Sequence, residues 1–408
     1  MSLTAIAPAA PGGAAAVGAL PERATSAGRT LAVTRLTLTN FRSYARAEIA
    51  VGGRPVVLAG QNGAGKTNLL DAISLLSPGR GLRGARLSEH VRRGPSVASE
   101  ALWAVSATVM RAGEAVEIGT GLLQGSAGGE RRQVRLNGTP APSSADLGEV
   151  VQMLWLTPAM DRVFIESASG RRRFLDRLVL GFDPAHARNA TRYDTAMRER
   201  ARLLKFGPRD PAWLDGLEAE MVETGIAMAT ARGLAVTRLN NVLNERGREG
   251  VFPAAQLALS GTADSWLAED SSAATETFRR ALAKARMRDA EAGRTTVGPH
   301  LSDLVVRHTE KRVDARECST GEQKALLISI VLAHARELTR ARDGMSPLLL
   351  LDEIAAHLDA RRRSALFDEI VALGAQAWMT GTDTSLFQEL DARADIFVVT
   401  DGRFVRQE

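Results

Sequence analysis

Apolar and polar residues alternate from Leu31 to Tyr44, and this period of two predicts a β-strand. The short apolar run Pro55–Gly60 predicts a buried strand, and a glycine-rich turn then opens an amphipathic pattern typical of a helix. Residues 97–136 alternate more weakly and contain turn residues, which favours antiparallel strands. The run Val150–Pro158 predicts one more strand, so the first part of the chain indicates an α/β fold.

The pattern changes to helical spacing in the middle of the chain. Residues 170–205 and 212–246 each predict long helices, and Trp213, Leu217 and Met221 form an i, i+4 row on the second. A glycine- and proline-containing break separates the two segments. Together they predict a helical hairpin or a short coiled-coil arm.

Alternating strands and helices return from Thr295 onward, including the buried run "PLLLLDE". The simplest organisation is therefore a discontinuous α/β nucleotide-binding domain, 31–160 and 295–408, that carries an inserted helical lobe, 161–294. Residues 1–30 are rich in Ala, Gly and Pro and are expected to form a disordered tail rather than a signal peptide.

Composition narrows the class of protein. The chain has 408 residues, of which 45% are hydrophobic, and this is enough for two domains. A single cysteine, Cys318, excludes an internal disulfide framework and is expected to be a small packing residue. Because no apolar run approaches the length of a membrane span, we expect a cytoplasmic protein that does not enter membranes.

Positive charge is concentrated in one segment, Arg80–Arg93, which contains five arginines and only one acid, Glu89. Two interpretations stay open, a solvated charge run and a clamp for DNA phosphates. No aromatic residue interleaves the arginines, so any DNA contact would be independent of sequence. The DNA-binding candidates are Arg80, Arg83 and Arg86.

A P-loop pattern is matched at every fixed position between a predicted strand and a predicted helix. Its residues are Gly60, Gln61, Asn62, Gly63, Ala64, Gly65, Lys66 and Thr67. Such glycines allow backbone N–H groups to wrap a phosphate at a helix N-terminus. Lys66 is expected to neutralise the β- and γ-phosphates of ATP, and Thr67 to bind Mg²⁺.

Two acids follow the apolar run near the carboxyl end of the chain. Asp352 suits the Mg²⁺ shell, and Glu353 suits a general base for the attacking water. Two carboxylates at the end of a buried strand are unfavourable unless a cation compensates them. The second acid favours a hydrolase over a module that only binds phosphate.

The stretch "CSTGEQK" precedes another helix, and Ser319 and Glu322 have the spacing of a capping box. A predicted strand ending in Asp-Glu and the stretch "AAHLD" come after it. In this order, "CSTGEQK" resembles the signature motif of ABC-type ATPases, and "AAHLD" resembles their D-loop. The resemblance implies that the signature motif covers the γ-phosphate of an ATP held by a second subunit. The implied signature residues are Ser319, Thr320, Gly321, Glu322 and Gln323, and the implied D-loop residues are His357 and Asp359. The usual switch histidine is replaced by "MTGTD", whose Thr382 and Asp383 are sensor candidates.

Further motifs, in order, resemble the RecF family of DNA repair proteins: "LTLTNFRSY", "RRRFLD", "VGPHLSDL" and the signature stretch. The departures from the family pattern are Glu166, Ala168, Leu301 and Ser302. Arg42 in the first motif either reaches a nucleotide phosphate or is a solvated arginine. His300 in the third is expected to be a structural turn residue.

The RecF resemblance implies an ABC-type ATPase head with ATP and Mg²⁺ as cofactors, a weak DNA-stimulated ATPase activity and a homodimer that forms with ATP. It also implies binding to gapped DNA and to junctions of single- and double-stranded DNA. The implied partners are RecR and RecO, which would help to load RecA in replication restart and the SOS response. The alternatives are an SMC-type arm protein and a transporter ATPase subunit. A short helical block disfavours the first, and the basic segment and missing histidine disfavour the second.

Overall fold

The computed structural model describes residues 30–92, 102–124, 130–207, 210–245 and 250–407, apart from the side chains of Gln124, His357 and Asp391. The predicted tail lies outside these ranges except for Thr30, and so does Arg93 of the basic segment. Within these ranges, no helix is both long and apolar enough to cross a bilayer.

The described strands are β1 (Leu31–Phe41), β2 (Tyr44–Ala50), β3 (Val56–Ala59), β4 (Ala104–Arg111), β5 (Glu114–Gln124), β6 (Glu130–Leu136), β7 (Thr139–Pro140), β8 (Met153–Leu156), β9 (Ala255–Ser260), β10 (Asp303–His308), β11 (Val313–Asp314), β12 (Leu348–Leu351), β13 (Ala377–Gly381), β14 (Asp395–Thr400) and β15 (Arg403–Arg406). The described α-helices are α1 (Lys66–Ser74), α2 (Leu147–Val150), α3 (Ala168–Phe182), α4 (His186–Phe206), α5 (Pro211–Glu245), α6 (Thr262–Glu269), α7 (Ala274–Ala292), α8 (Thr320–Ala341) and α9 (Ala360–Ala372). Short 3₁₀ turns connect several of them.

The strands form three sheets. An antiparallel sheet has the order β2-β1-β4-β5-β6-β7, and a mainly parallel sheet has the order β15-β14-β3-β13-β12-β8. In the second sheet, only the edge strand β15 runs antiparallel to its neighbour. The third sheet, β11-β10-β9, is antiparallel.

Strand β12 shows why the parallel sheet is buried on both faces. Its four leucines are all buried, as expected for a strand between two layers. Leu348 and Leu350 pack with the antiparallel sheet and α1, whereas Leu349 and Leu351 pack with α8 and α9 on the other face. The part of the chain around this sheet is therefore a three-layer arrangement, which confirms the predicted α/β class.

Helices α4, α5 and α7 are joined by a buried charge network. Arg200 on α4 is fully buried and donates to Glu218 on α5 at 2.8 Å and to Asp289 on α7 at 2.7 Å. Breaking such a buried pair leaves an uncompensated charge, so the network holds the three helices in one arrangement. The predicted row on α5 is only partly buried, because Met221 is inside and Trp213 is 51% exposed.

Several element boundaries differ from the sequence-based prediction. The predicted strand 31–44 is two strands, since Arg42 takes a left-handed φ of 52° and the chain reverses so that Phe41 pairs with Tyr44. Helix α6 was not predicted. Strands β9 and β10 pair across the predicted domain boundary at residue 294, so the predicted lobe and ATPase domain share a sheet.

Candidate functional site

The P-loop connects β3 to α1 as the sequence predicts. Gly60 has a φ of 152°, and a side chain there would place a Cβ 2.4 Å from the carbonyl oxygen of Val399. Gly65 has a φ of 108°, and its Cβ would lie 2.7 Å from the hydroxyl of Tyr44. That hydroxyl donates to the Gly65 carbonyl at 2.9 Å. These positions require glycine for backbone conformation and for space.

Lys66 lies inside the loop with only 4% of its surface exposed. Its Nζ donates to the carbonyl oxygens of Gly60 at 2.6 Å and Gln61 at 2.9 Å. Burial lowers the pKa of the amine, and the nearby Glu353 and Asp352 carboxylates oppose that shift. The first turn of α1 leaves N–H groups without helical partners beside this amine. The loop can therefore offer one cation and several donors to a phosphate chain.

Asp352 is brought directly to the P-loop. Its Oδ1 accepts from the hydroxyl of Thr67 at 2.9 Å and from the hydroxyl of Thr380 at 2.7 Å. The carboxylate is nearly buried, with 6% of the residue exposed. A threonine hydroxyl touching a buried carboxylate is a suitable oxygen donor set for Mg²⁺, which prefers few protein oxygens and several waters. Thr67 and Asp352 therefore fit the predicted metal site.

Glu353 follows Asp352 with an unusual backbone. Its φ is 51°, a left-handed conformation that is uncommon for a non-glycine residue. Its N–H donates to the hydroxyl of Thr380 at 2.8 Å, which holds the turn. In the described part of the chain the carboxylate accepts no hydrogen bond, and it is half-buried near Lys66. Glu353 stays the predicted general base for the attacking water.

Thr380 is a site residue that sequence reasoning missed. It lies near the end of the parallel strand β13, is fully buried, and bonds to both acidic positions. Thr380 is the second residue of "MTGTD", whereas the sequence-based prediction concerns the two residues after the glycine, Thr382 and Asp383. Thr382 is exposed, and Asp383 caps the following 3₁₀ helix by accepting from the Ser385 N–H at 2.7 Å. Thr382 and Asp383 stay sensor predictions.

Ser319 is the N-cap of α8, and the capping box is present. The Ser319 N–H donates to Glu322 Oε2 at 3.0 Å, and the Ser319 hydroxyl accepts from the Glu322 N–H at 3.4 Å. The ammonium of Lys311, with hydrogen bonds from Ser319, lowers the pKa of Glu322 to about 2. Thr320 and Gly321 are exposed, and a Cβ on Gly321 would contact nothing within 4 Å.

The signature segment and the P-loop are not joined within one chain, since no hydrogen bond or ion pair connects them among the described residues. Gln323 turns inward and donates to the Cys318 carbonyl at 2.9 Å. Cys318 is buried, and burial raises the pKa of its thiol. The hydrogen bond of Gln323 thus holds the buried side of the turn, and Ser319, Thr320 and Gly321 are exposed to solvent.

The D-loop prediction concerns His357 and Asp359. Asp359 is the N-cap of α9, where its Oδ1 accepts from the Arg362 N–H at 2.8 Å. The side chain of His357 lies outside the described residues. Its backbone belongs to the turn Ala355–His357 that follows the two acids. Both assignments stay predictions.

Arg42 is not a solvated arginine, because its side chain is 16% exposed and paired with Asp71, and the contact with a nucleotide phosphate stays a prediction. It donates to Asp71 Oδ2 on α1 from Nε at 3.1 Å and from Nη2 at 2.9 Å. The ring of His90 lies 3.4 Å from the same oxygen and stacks on Phe41. Burial alone would raise the pKa of Asp71, but His90 and Arg42 hold it below its usual value. Asp71 was not singled out from sequence, because one acid on a helix carries no pattern.

The basic segment, which begins at Arg80, also contacts the carboxylate of Asp71. The Arg83 N–H faces Asp71 Oδ1 at 3.4 Å, and the Leu82 N–H donates to the Ser74 hydroxyl at 2.6 Å. Arg132 on β6 donates to the carbonyls of Leu75 and Gly79 and so holds the start of the segment. A cleft of about 470 Å³ beside α1 is lined by Arg42, Ser43, Asn68, Arg83, Glu89 and Val91.

The three candidate DNA contacts, Arg80, Arg83 and Arg86, are all at least partly exposed. Within the described ranges none of their guanidinium groups forms an ion pair with a carboxylate closer than 4.0 Å. The segment therefore presents positive charge on a backbone that Asp71, Ser74 and Arg132 hold in place. This arrangement is compatible with both interpretations that the sequence left open.

Two of the sequence motifs contact each other in space. Arg171 of "RRRFLD" donates to both carboxylate oxygens of Asp303 at 2.7 and 2.6 Å. Arg172 donates to the Ser302 carbonyl at 2.7 Å. Of the departures from the family pattern, Ser302 is buried and Leu301 is 48% exposed. Because Asp303 is retained, this contact between the motifs does not depend on the two departing side chains.

His300 has the structural role expected of it. Its Nδ1 lies 2.8 Å from the hydroxyl of Tyr193, and its Nε2 lies 3.1 Å from the Thr295 carbonyl. Burial lowers the pKa of the imidazole. The ring fixes the Gly-Pro-His turn against α4. Glu166 and Ala168, the other departures, are at the start of α3, where the Glu166 carbonyl accepts from Arg171 Nη1 at 2.5 Å.

Comparison with known proteins agrees with these features. A family model described as the RecF/RecN/SMC N terminal domain matches residues 32–404. The DNA replication and repair protein RecF of Rhizobium etli is 50% identical over 373 residues, covering 91% of this chain and 98% of that protein. The protein of the same name from Mesorhizobium japonicum is 51% identical over 374 residues, covering 91% and 96%.

Solved structures share the fold. A structure of the recombination mediator protein RecF with a bound ATP analogue, in the RecFOR pathway, aligns with a TM-score of 0.80 and 22% identity, covering 94% of this chain and all of that one. The Smc head domain from Pyrococcus furiosus, with an extended coiled coil, aligns with a TM-score of 0.53 and 17% identity, covering 93% and 96%. The first structure has the higher TM-score of the two, and both likenesses show a shared fold. The chain belongs to the RecF family of DNA replication and repair proteins.

Proposed function

We propose that the protein is an ATP-dependent DNA-binding recombination mediator with a weak, DNA-stimulated ATPase activity. The observation that carries this proposal is the contact of Thr67 with Asp352, beside a half-buried Glu353 whose carboxylate is free. The RecF relatives, at about 50% identity over nearly their whole length, support the same conclusion.

ATP hydrolysis would use residues that lie close together in this structure. Lys66 would exchange its two carbonyl partners for the β- and γ-phosphates. Thr67 and Asp352 would hold Mg²⁺, which would supply positive charge beside the phosphates. Glu353 would take the proton of the attacking water. Thr380 would hold Asp352 and Glu353 in place through its two hydrogen bonds.

The site needs a second copy of the chain to be complete. The turn of Ser319, Thr320 and Gly321 is exposed and has no connection to the P-loop of its own chain in the described ranges. A helix N-terminus with free N–H groups is suited to an anion. The turn would therefore cover the γ-phosphate held by the partner copy, so that ATP joins two heads and hydrolysis releases them.

DNA binding would use the segment that carries Arg80, Arg83 and Arg86. Its anchor on Asp71 of α1 connects it to the P-loop helix, so ATP binding and DNA binding share one supporting element. Contacts with phosphates alone would suit gapped or junctional DNA of any sequence. RecR- and RecO-type mediators, which would help to load RecA, are the partners proposed on the RecF relationship, together with roles in replication restart and the SOS response.

Size-exclusion chromatography with light scattering tests this proposal. Wild-type protein is measured without nucleotide, with ATP, and with ATP plus gapped DNA. We expect a monomer, a dimer, and a dimer on DNA. Lys66→Met should stay a monomer in ATP, whereas Glu353→Gln should form the dimer and hold it, because it binds ATP but does not hydrolyse it.

Each result bears on a separate step. A Lys66→Met protein that dimerises in ATP like the wild type would contradict the P-loop assignment. Substantial ATP turnover by Glu353→Gln would remove Glu353 as the base. A wild-type dimer that forms equally without nucleotide would contradict ATP gating.

A further inference from the structure

Three arginines on separate elements line one cleft that the ATP site does not use. Arg111 ends β4, Arg238 lies on α5, and Arg342 directly follows α8. The cleft has a volume of about 510 Å³ and is open to solvent. It has the size of an ordinary ligand pocket.

The three arginines outnumber the two acids, Glu149 and Asp343, that line the same cleft. Within the described ranges, none of the three arginines forms an ion pair with a carboxylate. Arg342 is half-buried, and burial together with the charge of Arg111 lowers its pKa. Arg238 packs against the ring of Phe182 instead, 5.4 Å from its centroid. Gathering like charges is destabilising, and a bound anion would offset that repulsion.

The cleft lies far from the nucleotide. Arg111 pairs with Leu31 at the start of β1, whereas the end of β1 reaches Tyr44 and the P-loop. At about 3.3 Å per residue, the 11 residues of β1 separate the two places by roughly 35 Å. Likewise, Arg342 and Ser319 are at opposite ends of α8. A ligand in the cleft would leave the ATP site accessible.

We propose that this cleft binds an acidic peptide segment of a partner protein, with the three arginines receiving its carboxylates. A guanidinium group matches carboxylate and phosphate equally well, so the remaining lining decides between them. Phe182, Pro184, Leu338 and Met345 provide apolar contacts for peptide side chains.

Two acids in the same lining argue against DNA as the ligand. Glu149 and Asp343 face the cleft, and they would repel the closely spaced phosphates of a nucleic acid strand. A peptide can place its carboxylates at the arginines and neutral residues at the acids. A concave site also suits an extended peptide better than the convex surface of a duplex.

Fluorescence anisotropy with a labelled twelve-residue peptide of alternating aspartate and leucine tests the proposal. We expect saturable binding to the full-length protein, no binding of the same peptide with asparagine in place of aspartate, and undiminished binding in the presence of ATP. Arg111→Gln combined with Arg342→Gln should weaken binding about tenfold or more, because two charge-assisted hydrogen-bond donors are removed. Lys284→Gln, which removes one charge from α7 outside the cleft, should leave binding unchanged.

Thermal unfolding and ATP binding of the double variant establish that it is folded. Its melting temperature should be at least as high as that of the wild type, because the repulsion between the two arginines is relieved. Equal peptide binding by the double variant and the wild type would overturn the proposal. So would equal binding of the asparagine peptide, or no binding up to about 1 mM. A thymidine oligonucleotide that displaces the peptide from the wild type, and binds the double variant more weakly, would assign the cleft to nucleic acid instead.

Discussion

At the scale of single residues, the proposed ATP site depends on the hydroxyl of Thr380. It donates to Asp352 and accepts from the Glu353 N–H, so one atom sets the position of the proposed metal ligand and of the proposed base. Its burial means that water cannot replace either bond. The left-handed φ of Glu353 is unfavourable by itself and is maintained by this contact.

Thr380→Val tests this role with almost no change of shape. Loss of both hydrogen bonds should leave a buried N–H and a carboxylate less satisfied, at a cost of about 1–3 kcal/mol in the free energy of unfolding. ATP turnover should fall at least about tenfold if the acids move, whereas ATP affinity should change less. Steady-state hydrolysis and a fluorescent ATP analogue measure the two effects. Thr380→Ser keeps the hydroxyl and should stay near wild type, and wild-type turnover by the valine variant would contradict the role.

At the scale of elements, the amino end of α8 has a structural and a proposed binding function that mutations can separate. Ser319→Ala removes the cap and should lower the free energy of unfolding by about 1 kcal/mol. Ser319→Arg should leave ATP binding to the monomer intact and block the dimer, because the larger side chain occupies the exposed turn. Isothermal titration and light scattering measure the two steps. Loss of monomer binding in the arginine variant would show that Ser319 acts within its own chain.

The basic segment is the other element with a measurable function. Changing both Arg83 and Arg86 to Gln should weaken DNA binding to a similar degree for all sequences. The slope of log K against log salt should become shallower by about 1 for each DNA phosphate that an arginine no longer neutralises. Titrations of two unrelated duplexes at several salt concentrations provide this slope, with Lys284→Gln as a control that removes one positive charge elsewhere. An unchanged slope would identify the segment as a solvated charge run.

Much of the site could be predicted from sequence because its chemistry is local. The P-loop, the pair Asp352 and Glu353, and the capping box of Ser319 each occupy a short continuous stretch. Thr380 and the partner of Arg42, Asp71, could not be predicted, because their roles arise only when distant strands and helices meet. Among elements, the reversal at Arg42 was missed since alternation continues through it, and α6 was missed because eight residues carry little periodicity.

At the scale of the whole molecule, His334 makes stability depend on pH. It lies in the middle of α8, fully buried, with its ring 4.6 Å from that of Phe182. Burial, with the charge of Arg177, lowers its pKa from 6.5 to about 3. The unfolded chain takes up a proton as pH falls below 6.5, whereas the folded chain stays neutral until about pH 3. The contribution of His334 is therefore present above pH 6.5 and is lost as pH falls through this window.

His334→Met should remove that part of the pH dependence. Between pH 7.5 and pH 5, the free energy of unfolding of the wild type should fall by about 2 kcal/mol more than that of the variant. Urea unfolding at several pH values measures both proteins, and the carboxylates they share cancel in the difference. Parallel pH profiles would contradict this, because they would show that the imidazole takes up its proton over the same pH range in the folded and the unfolded protein.

The bond between Thr67 and Asp352 also has a consequence during protein synthesis. Its two residues are 285 positions apart, so the ribosome makes the P-loop long before the acid that completes it. At about 5–20 residues per second, that interval lasts on the order of 15–60 s. During this time the nascent chain carries Lys66 without the carboxylates that later lie near it. A chain released before residue 352 therefore lacks the acids of its ATP site, however well its amino-terminal sheets have folded.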